Sequence, residues 1–238
     1  MGIFENLTSD SLEEQRDTLG KFSVLESDVY DAVIKVAFAQ TAASGAVGVT
    51  LIAKVDNDEY RETIYITNKN KENFYYTKGN PPKKMPLMGF TTINDICQIT
   101  CGKSLSQMET ENKMVMLYNT DLQKEVPTAM PVLMELIGKP IKLGILKEIK
   151  YKVQSTDAGY VETDDIRESN SINKVFDPES GRTVYEINHD LKEAPLFIDK
   201  WLEKNRGIVV DHTKKNISSV KSSKPVPPSK TEHKSLFT

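Results

Sequence analysis

Histidine and cysteine are scarce in this chain, which has three histidines and two cysteines among 238 residues. A zinc site usually needs four ligands, and no further histidine or cysteine lies near Cys97 and Cys101 to complete one. Their spacing of four places both thiols on one face of a helix, where a disulfide is geometrically poor. We expect two small buried side chains there, a solvent-exposed His189, and neither a metal site nor a cofactor.

Motifs that mark common enzymes are also missing. The chain has no GxxxxGK[ST] phosphate-binding loop, no GxGxxG after a strand and no GxSxG nucleophile elbow. Acidic residues are plentiful, but no pair of them forms a motif more specific than a solvated face. We therefore expect no catalytic residues, and we predict a binding protein rather than an enzyme.

Long apolar runs are absent as well. No segment of about 18 apolar residues occurs, so we expect no membrane span. The first residues, MGIFENLTSDSLEEQ, have neither the basic region nor the apolar region of a secretory signal. These features predict a location in a cytoplasm.

Positive charge is concentrated at one end of the chain. Residues 212–238 carry six lysines and one glutamate, or +5, so residues 1–211 carry −8 by subtraction from the net charge of −3. An acidic body argues against indiscriminate binding to duplex DNA, but it is compatible with a local basic groove. We predict a folded domain over residues 1–211 and a disordered basic tail, rich in lysine, serine and proline, over residues 212–238.

Apolar side chains alternate in three early segments, and this alternation predicts an antiparallel β-meander. Period two turns Arg61 and Tyr65 outward on the third strand, where Glu62 is the one residue that does not suit the inner face. The predicted inner faces are Tyr30, Ala32, Ile34, Val36 and Phe38; Val47, Val49, Leu51, Ala53 and Val55; and Tyr60, Glu62, Ile64 and Ile66. The outer face holds Arg61, Thr63, Tyr65 and Thr67 with Lys35, Thr50, Ile52 and Lys54.

The rest of the chain predicts further elements around this meander. Residues 68–90 form a long polar excursion, which in a compact domain is usually functional. A helix follows, capped near Thr91 or Thr92 and ended by Gly102. The later predictions are strands over 125–136 and 141–153, a flexible loop over 154–172, and a closing helix over 194–207 whose Trp201 belongs to the core.

Cations and aromatic rings interleave between Tyr60 and Lys84. Cations neutralise phosphates, and a base stacked on a ring gains roughly 1–3 kcal/mol almost regardless of its identity. The segment therefore indicates a site for single-stranded nucleic acid, and the alternative is a half-buried hairpin with core rings and solvated lysines. The candidate stacking residues are Tyr65, Phe74, Tyr75 and Tyr76, although one or two of the last three are expected to pin the loop. The candidate phosphate contacts are Arg61, Lys69, Lys71, Lys78, Lys83 and Lys84, with Lys35 and Lys54 as secondary candidates.

Several segments, in order along residues 3–207, carry a resemblance to a known family. They are FENLTSDSLEEQRDTLGKF, EYRETIYITNKNKENFYYTK, PLMGFTTINDICQIT, MPVLMELIGKPIKLGILKE, VFDPESGRTVYE and WLEKNRG. The chain resembles bacteriophage single-stranded DNA-binding proteins of the replication and recombination type. The resemblance implies a mainly β chain with a few helices (α+β), built as an OB-fold, an antiparallel Greek-key barrel with an inserted and a C-terminal helix. It also implies sequence-nonspecific coating and protection of single strands during phage replication, recombination and repair, in the host cytoplasm.

The tail departs from that family, whose members often end in an acidic tail with a terminal aromatic residue. Here residues 212–238 are basic and contain Leu236 and Phe237. Either the lysines add non-specific DNA contacts, or Leu236 and Phe237 dock into a phage replication protein or an RNA polymerase. Two other classes stay open: a protein-interaction module, such as a transcription regulator that contacts a polymerase, and a nucleic-acid-processing enzyme that uses acidic residues and a metal.

Overall fold

The structure of this chain, a computed structural model, describes residues 24–119, 122–156 and 159–213. The strands are β1 (Asp28–Thr41), β2 (Val47–Val55), β3 (Asp58–Tyr65), β4 (Phe74–Tyr76), β5 (Lys84–Pro86), β6 (Glu111–Asn119), β7 (Lys124–Val132), β8 (Pro140–Thr156), β9 (Gly159–Phe176) and β10 (Val209–Asp211). The helices are α1 (Met88–Cys101), α2 (Val184–Asn188) and α3 (Phe197–Asn205). None of the helices in these ranges is long and apolar enough to cross a membrane.

Strand β1 is the centre of the main sheet. It pairs with β2 along most of its length, with β8 through residues 28–33, and with β7 at Phe38. Strand β3 continues the meander from β2, β9 pairs with β8, and β6 pairs with β7. Among the strands of the described residues, only β10 runs parallel to its neighbour, β8. The prediction of a mainly β chain with a few helices and antiparallel pairing is confirmed. Within the described residues β3 pairs only with β2, so the ladder does not close.

The main core lies between the β1–β2–β3 meander, β8 and helix α1. The helix contributes Ile93, Ile96 and Cys97, all at most 1% exposed. It ends at Gly102 as predicted, because glycine adopts the left-handed conformation (φ 66°) that closes the last turn. The predicted cap at Thr91 or Thr92 is wrong, because the helix begins at Met88 and its N-cap residue is Leu87. Both threonine hydroxyls instead donate to carbonyls one turn back.

A β-bulge at Lys35 divides β1 into two halves. Ile34 lies opposite Ala53 and Val36 lies opposite Ile52, so Lys35 has no partner on β2. One extra residue reverses the facing of every side chain after it. The predicted inner face is therefore correct only as far as Ile34. Val36 and Phe38 lie on the opposite side of the sheet, in a second apolar cluster with Val115, Leu117, Met130 and Val132.

The predicted flexible loop over 154–172 is wrong, because most of it belongs to β9. This strand pairs with β8 from Gly159 to Phe176. Its exposed half is mostly polar and carries only scattered apolar residues such as Val161 and Ile166, so no alternation of apolar residues marks it in the sequence. The pairing of the backbone with β8 satisfies its hydrogen bonds instead.

The closing helix is shorter than predicted but keeps its predicted role. It begins at Phe197 and is followed by Gly207 in the left-handed conformation (φ 68°). Trp201 is 4% exposed and packs edge-on against Phe176. Its indole N–H donates to Asn173 Oδ1 at 2.8 Å, so the prediction of a core tryptophan is confirmed.

The predicted boundary between body and tail lies beside β10. The amide of His212 donates to the carbonyl of Ile149, which continues the pairing of β10 with β8 by one residue. The predicted disorder of the tail beyond Thr213 lies outside the described residues.

Candidate nucleic-acid interface

Strand β3 presents its side chains in the predicted register. Tyr60 and Ile64 are each 8% exposed and belong to the main core. Arg61 and Tyr65 point to the other face and are exposed, with Tyr65 at 50%. Neither the cation nor the ring is used by the core, so both are available to a ligand.

Glu62 lies on the inner face because two donors hold its carboxylate. The Tyr60 hydroxyl donates to Glu62 Oε2 at 2.7 Å, and the backbone N–H of Ile172 donates to the same oxygen at 2.8 Å. Ile172 belongs to β9, so this side chain joins β3 to β9 where no backbone ladder does. Burial raises the pKa of Glu62, and the charge of Glu148 adds to the increase, whereas the two hydrogen bonds and the charge of Lys150 oppose it.

The stability of the fold is expected to depend on pH through Glu62. Its pKa in the folded chain lies above the ordinary value of 4.5, so the folded chain binds this proton more tightly than the unfolded chain does. The contribution of Glu62 to the free energy of unfolding therefore falls as pH rises from about 4.5 through the raised pKa. Urea denaturation between about pH 4 and 8 should show that the free energy of unfolding of Glu62→Gln rises relative to that of the parent as pH increases. The matched variant Glu193→Gln, at an exposed glutamate, should show no such trend, and a pH-independent difference for Glu62→Gln would contradict the assignment.

Two glycines fix the position of Tyr65. A Cβ atom added at Gly48, directly opposite on β2, would lie 3.2 Å from Cδ1 of the Tyr65 ring. The ring therefore lies close against the backbone of β2. A Cβ atom at Gly89, in the first turn of α1, would lie 2.1 Å from the Tyr65 carbonyl oxygen, so only glycine fits there. The backbones of β2 and α1 therefore hold Tyr65 on two sides, and half of the residue's surface remains exposed to solvent.

Lys69 and Lys71 lie in a tight loop directly after the end of β3. Asn68 orders this loop, because its Oδ1 accepts hydrogen bonds from the amides of Asn70 and Glu72 at 2.9 and 3.0 Å. A Cβ atom at Gly45 would lie 3.2 Å from the Lys69 carbonyl oxygen, so the β1–β2 loop adjoins this one. Both lysines are exposed. They lie at the same end of β3 as Tyr65.

The rings of the predicted excursion lie on the β4–β5 hairpin. Phe74 is half-buried, with the Lys84 ammonium 3.6 Å from its ring centroid and the Tyr76 ring edge-on at 5.6 Å. Tyr75 points to the other face of β4, and it and Tyr76 are 50% and 61% exposed. Phe74 is thus the ring already occupied by neighbours. Lys78 and Lys83 are exposed in the turn of the hairpin.

The secondary candidates lie at the other end of the outer face. Lys35 forms an ion pair with Glu59 at 2.7 Å, which offsets its charge, while Lys54 is exposed. Thr50 and Ile52 share this face as predicted, but they are 0% and 7% exposed and belong to the interior. Of the predicted cations, Arg61, Lys54, Lys69, Lys71, Lys78 and Lys83 form no ion pair with another described residue.

The β6–β7 hairpin carries a surface that the sequence reading missed. Met114, Met116 and Tyr118 are 64%, 52% and 61% exposed and lie on one face of β6. Val115 and Leu117, between them, face the second apolar cluster. The apolar run from Met114 to Tyr118 was a usable signal for a strand with two apolar faces, but it does not say which face stays exposed.

The described residues contain neither a candidate metal site nor a disulfide. Residues 24–119, 122–156 and 159–213 contain no group of three or more His, Cys, Asp or Glu side chains able to hold a metal ion. Cys97 and Cys101 are free thiols, the first buried and the second half-buried. No protein-family model matches the sequence, and no curated protein matches it significantly.

Proposed function

We propose that this protein binds single-stranded DNA without sequence preference through the end of β3. The proposal rests above all on Tyr65, a ring that lies against Gly48 and has half of its surface exposed. Arg61 lies on the same face of β3 four residues before it, Lys69 and Lys71 lie in the loop after it, and none of the three forms an ion pair with a described residue. A flat ring among cations suits an unpaired base and its phosphates, and duplex DNA offers no free base to such a ring.

We further propose that the strands form an OB-type barrel. The arrangement that supports it is a bulged β1 shared by β2, β7 and β8, with α1 inserted between the β-meander and β6. The Glu62 contact with the Ile172 amide joins β3 to β9, the two strands that such a barrel brings together. Together with the sequence resemblance, this fold suggests a non-enzymatic protein that coats and protects single strands during phage replication, recombination and repair in the host cytoplasm.

Fluorescence anisotropy with a labelled single-stranded oligonucleotide tests the proposal. We expect tight, salt-sensitive binding that strengthens with oligonucleotide length, and much weaker binding to a duplex of equal length. Binding to an RNA strand of the same sequence shows whether the protein prefers deoxyribose to ribose. No binding to single-stranded DNA at low salt would overturn the proposal, and degradation of the probe in the presence of Mg²⁺ would favour a nuclease.

A protein-interaction module is the second candidate function, and the β6–β7 hairpin favours it. Met114, Met116 and Tyr118 form an exposed apolar stripe, and such stripes occur at protein interfaces. This candidate predicts that the purified chain binds a polymerase or a replication protein in the absence of DNA. It also predicts that Met114→Ser with Met116→Ser abolishes this binding.

A further inference from the structure

Three residues form a row across the outer face of the meander. Gln40 on β1 lies opposite Gly48 on β2, and Gly48 lies opposite Tyr65 on β3. Because Gly48 has no side chain, the Tyr65 ring lies over its backbone, 3.2 Å from where a Cβ atom would be, and so toward β1, which carries Gln40. The row lies at the end of β3 that the proposed function assigns to DNA.

The Gln40 side chain reaches over β2 to β3. Its Nε2 donates to Thr63 Oγ1 at 3.3 Å, and Thr63 Oγ1 is 2.8 Å from the hydroxyl of Thr50. Thr50 is fully buried, so the chain of hydrogen bonds is anchored in the interior. The amide therefore has a fixed position beside Tyr65 rather than a mobile one in solvent.

Two of the three hydrogen-bonding groups of the Gln40 amide have no partner among the described residues. A primary amide has two N–H donors and one carbonyl acceptor. Thr63 takes one donor, and within the described residues Oε1 accepts no hydrogen bond. Gln40 is half-buried, so part of its side chain is accessible to solvent. The second N–H and Oε1 form an adjacent donor and acceptor.

An adjacent donor and acceptor match the Watson–Crick edge of any base. Thymine and guanine each place an N–H beside a carbonyl oxygen, and adenine and cytosine each place an amino group beside a ring nitrogen. In a duplex these edges are occupied by the partner base, whereas proteins that read single strands hydrogen-bond to them directly. A single amide at this position would distinguish unpaired bases from paired ones without choosing among the four.

We propose that Gln40 hydrogen-bonds the Watson–Crick edge of the base that stacks on Tyr65, with Gly48 allowing the ring and the amide to approach each other over bare backbone. The ligand of this pair of side chains is one unpaired nucleobase of any type. This inference rests on the proposed function and adds to it a residue that senses the unpaired state.

Oligothymidine and oligo-N3-methylthymidine of equal length test the proposal. The N3-methyl group removes the edge donor and blocks the approach of the amide, but it leaves the stacking face free. We expect the parent protein to bind the methylated strand about three- to tenfold more weakly, the effect of a net hydrogen bond. Gln40→Met should lose about as much on oligothymidine and then show no difference between the two strands. The matched control Gln154→Met, an exposed glutamine on β8, should behave like the parent.

The possible results separate this inference from the proposed function. Equal binding of both strands by the parent protein overturns the role of Gln40, whatever the stability of the variant. If Gln40→Met weakens binding but keeps the parent's preference for the unmethylated strand, the side chain has only a structural role and the inference is also overturned. Failure of the parent to bind oligothymidine at low salt would instead overturn the proposed function itself.

Discussion

Tyr65→Ala is expected to weaken binding of a single-stranded oligonucleotide by about 1–3 kcal/mol, which is roughly five- to 150-fold in Kd. The ring is half exposed and lies on the outer face, so its removal takes away a stacking partner without opening the main core. Anisotropy titrations give the change in affinity. Urea denaturation of the same sample shows whether the fold survives.

Two further variants make this result specific to stacking at Tyr65. Tyr65→Phe keeps the ring and should bind within about twofold of the parent, because stacking uses the π-face rather than the hydroxyl. Tyr185→Ala removes a tyrosine that is 65% exposed on α2 and should leave affinity unchanged. If Tyr65→Ala folds and binds like the parent, the ring on which bases stack lies elsewhere. Tyr75 and Tyr76 on the β4–β5 hairpin are then the first residues to replace.

Much of the meander could be predicted from the sequence because one face of each strand is buried. Val49, Leu51, Ala53 and Val55 are all buried, and their alternation fixes which side chains of β2 face the core. The same logic placed Arg61 and Tyr65 outward on β3. Gly102 and Trp201 were predictable for a related reason, since a left-handed helix end favours glycine and a large ring at a helical period favours the core.

Other features could not be predicted because they depend on pairing between distant segments. The bulge at Lys35 leaves no mark in the local pattern, yet it moves Val36 and Phe38 to the opposite face. Strand β9 has few apolar residues to alternate, and it is a strand because β8 lies beside it. Such pairings are set by contacts across the fold rather than by local propensity.

The candidate site shows the same division. Arg61, Tyr65, Lys69 and Lys71 could be proposed from one segment, because strand period and local composition are enough to place them. Gln40 and Gly48 could not, since their position beside Tyr65 follows only from the register of three strands. Glu62 suited no pattern in the sequence because both of its donors, and above all the Ile172 amide, are visible only in the folded chain.

The triple variant Arg61→Gln, Lys69→Gln and Lys71→Gln is expected to have the largest effect on the salt dependence of binding to a single-stranded oligonucleotide. Each phosphate contact with a single strand contributes about 0.7 to the slope of log K against log salt, so loss of three contacts should lower the slope by about 2. All three side chains are exposed, so the fold should tolerate the change. Anisotropy titrations at several salt concentrations between about 50 and 200 mM measure the slope.

A second triple variant separates local contacts from overall charge. Lys192→Gln, Lys200→Gln and Lys204→Gln remove the same three charges from exposed positions on and before α3. Exposed charges are largely screened beyond about 8–10 Å at these salt concentrations, so this variant should keep the slope of the parent. Equal slopes in the two variants would mean that only net charge matters and that no phosphate is bound beside Tyr65. A slope that falls only in the first variant would place the phosphates along β3 and the loop after it, where three cations form no ion pair with a described residue although the body is acidic as a whole.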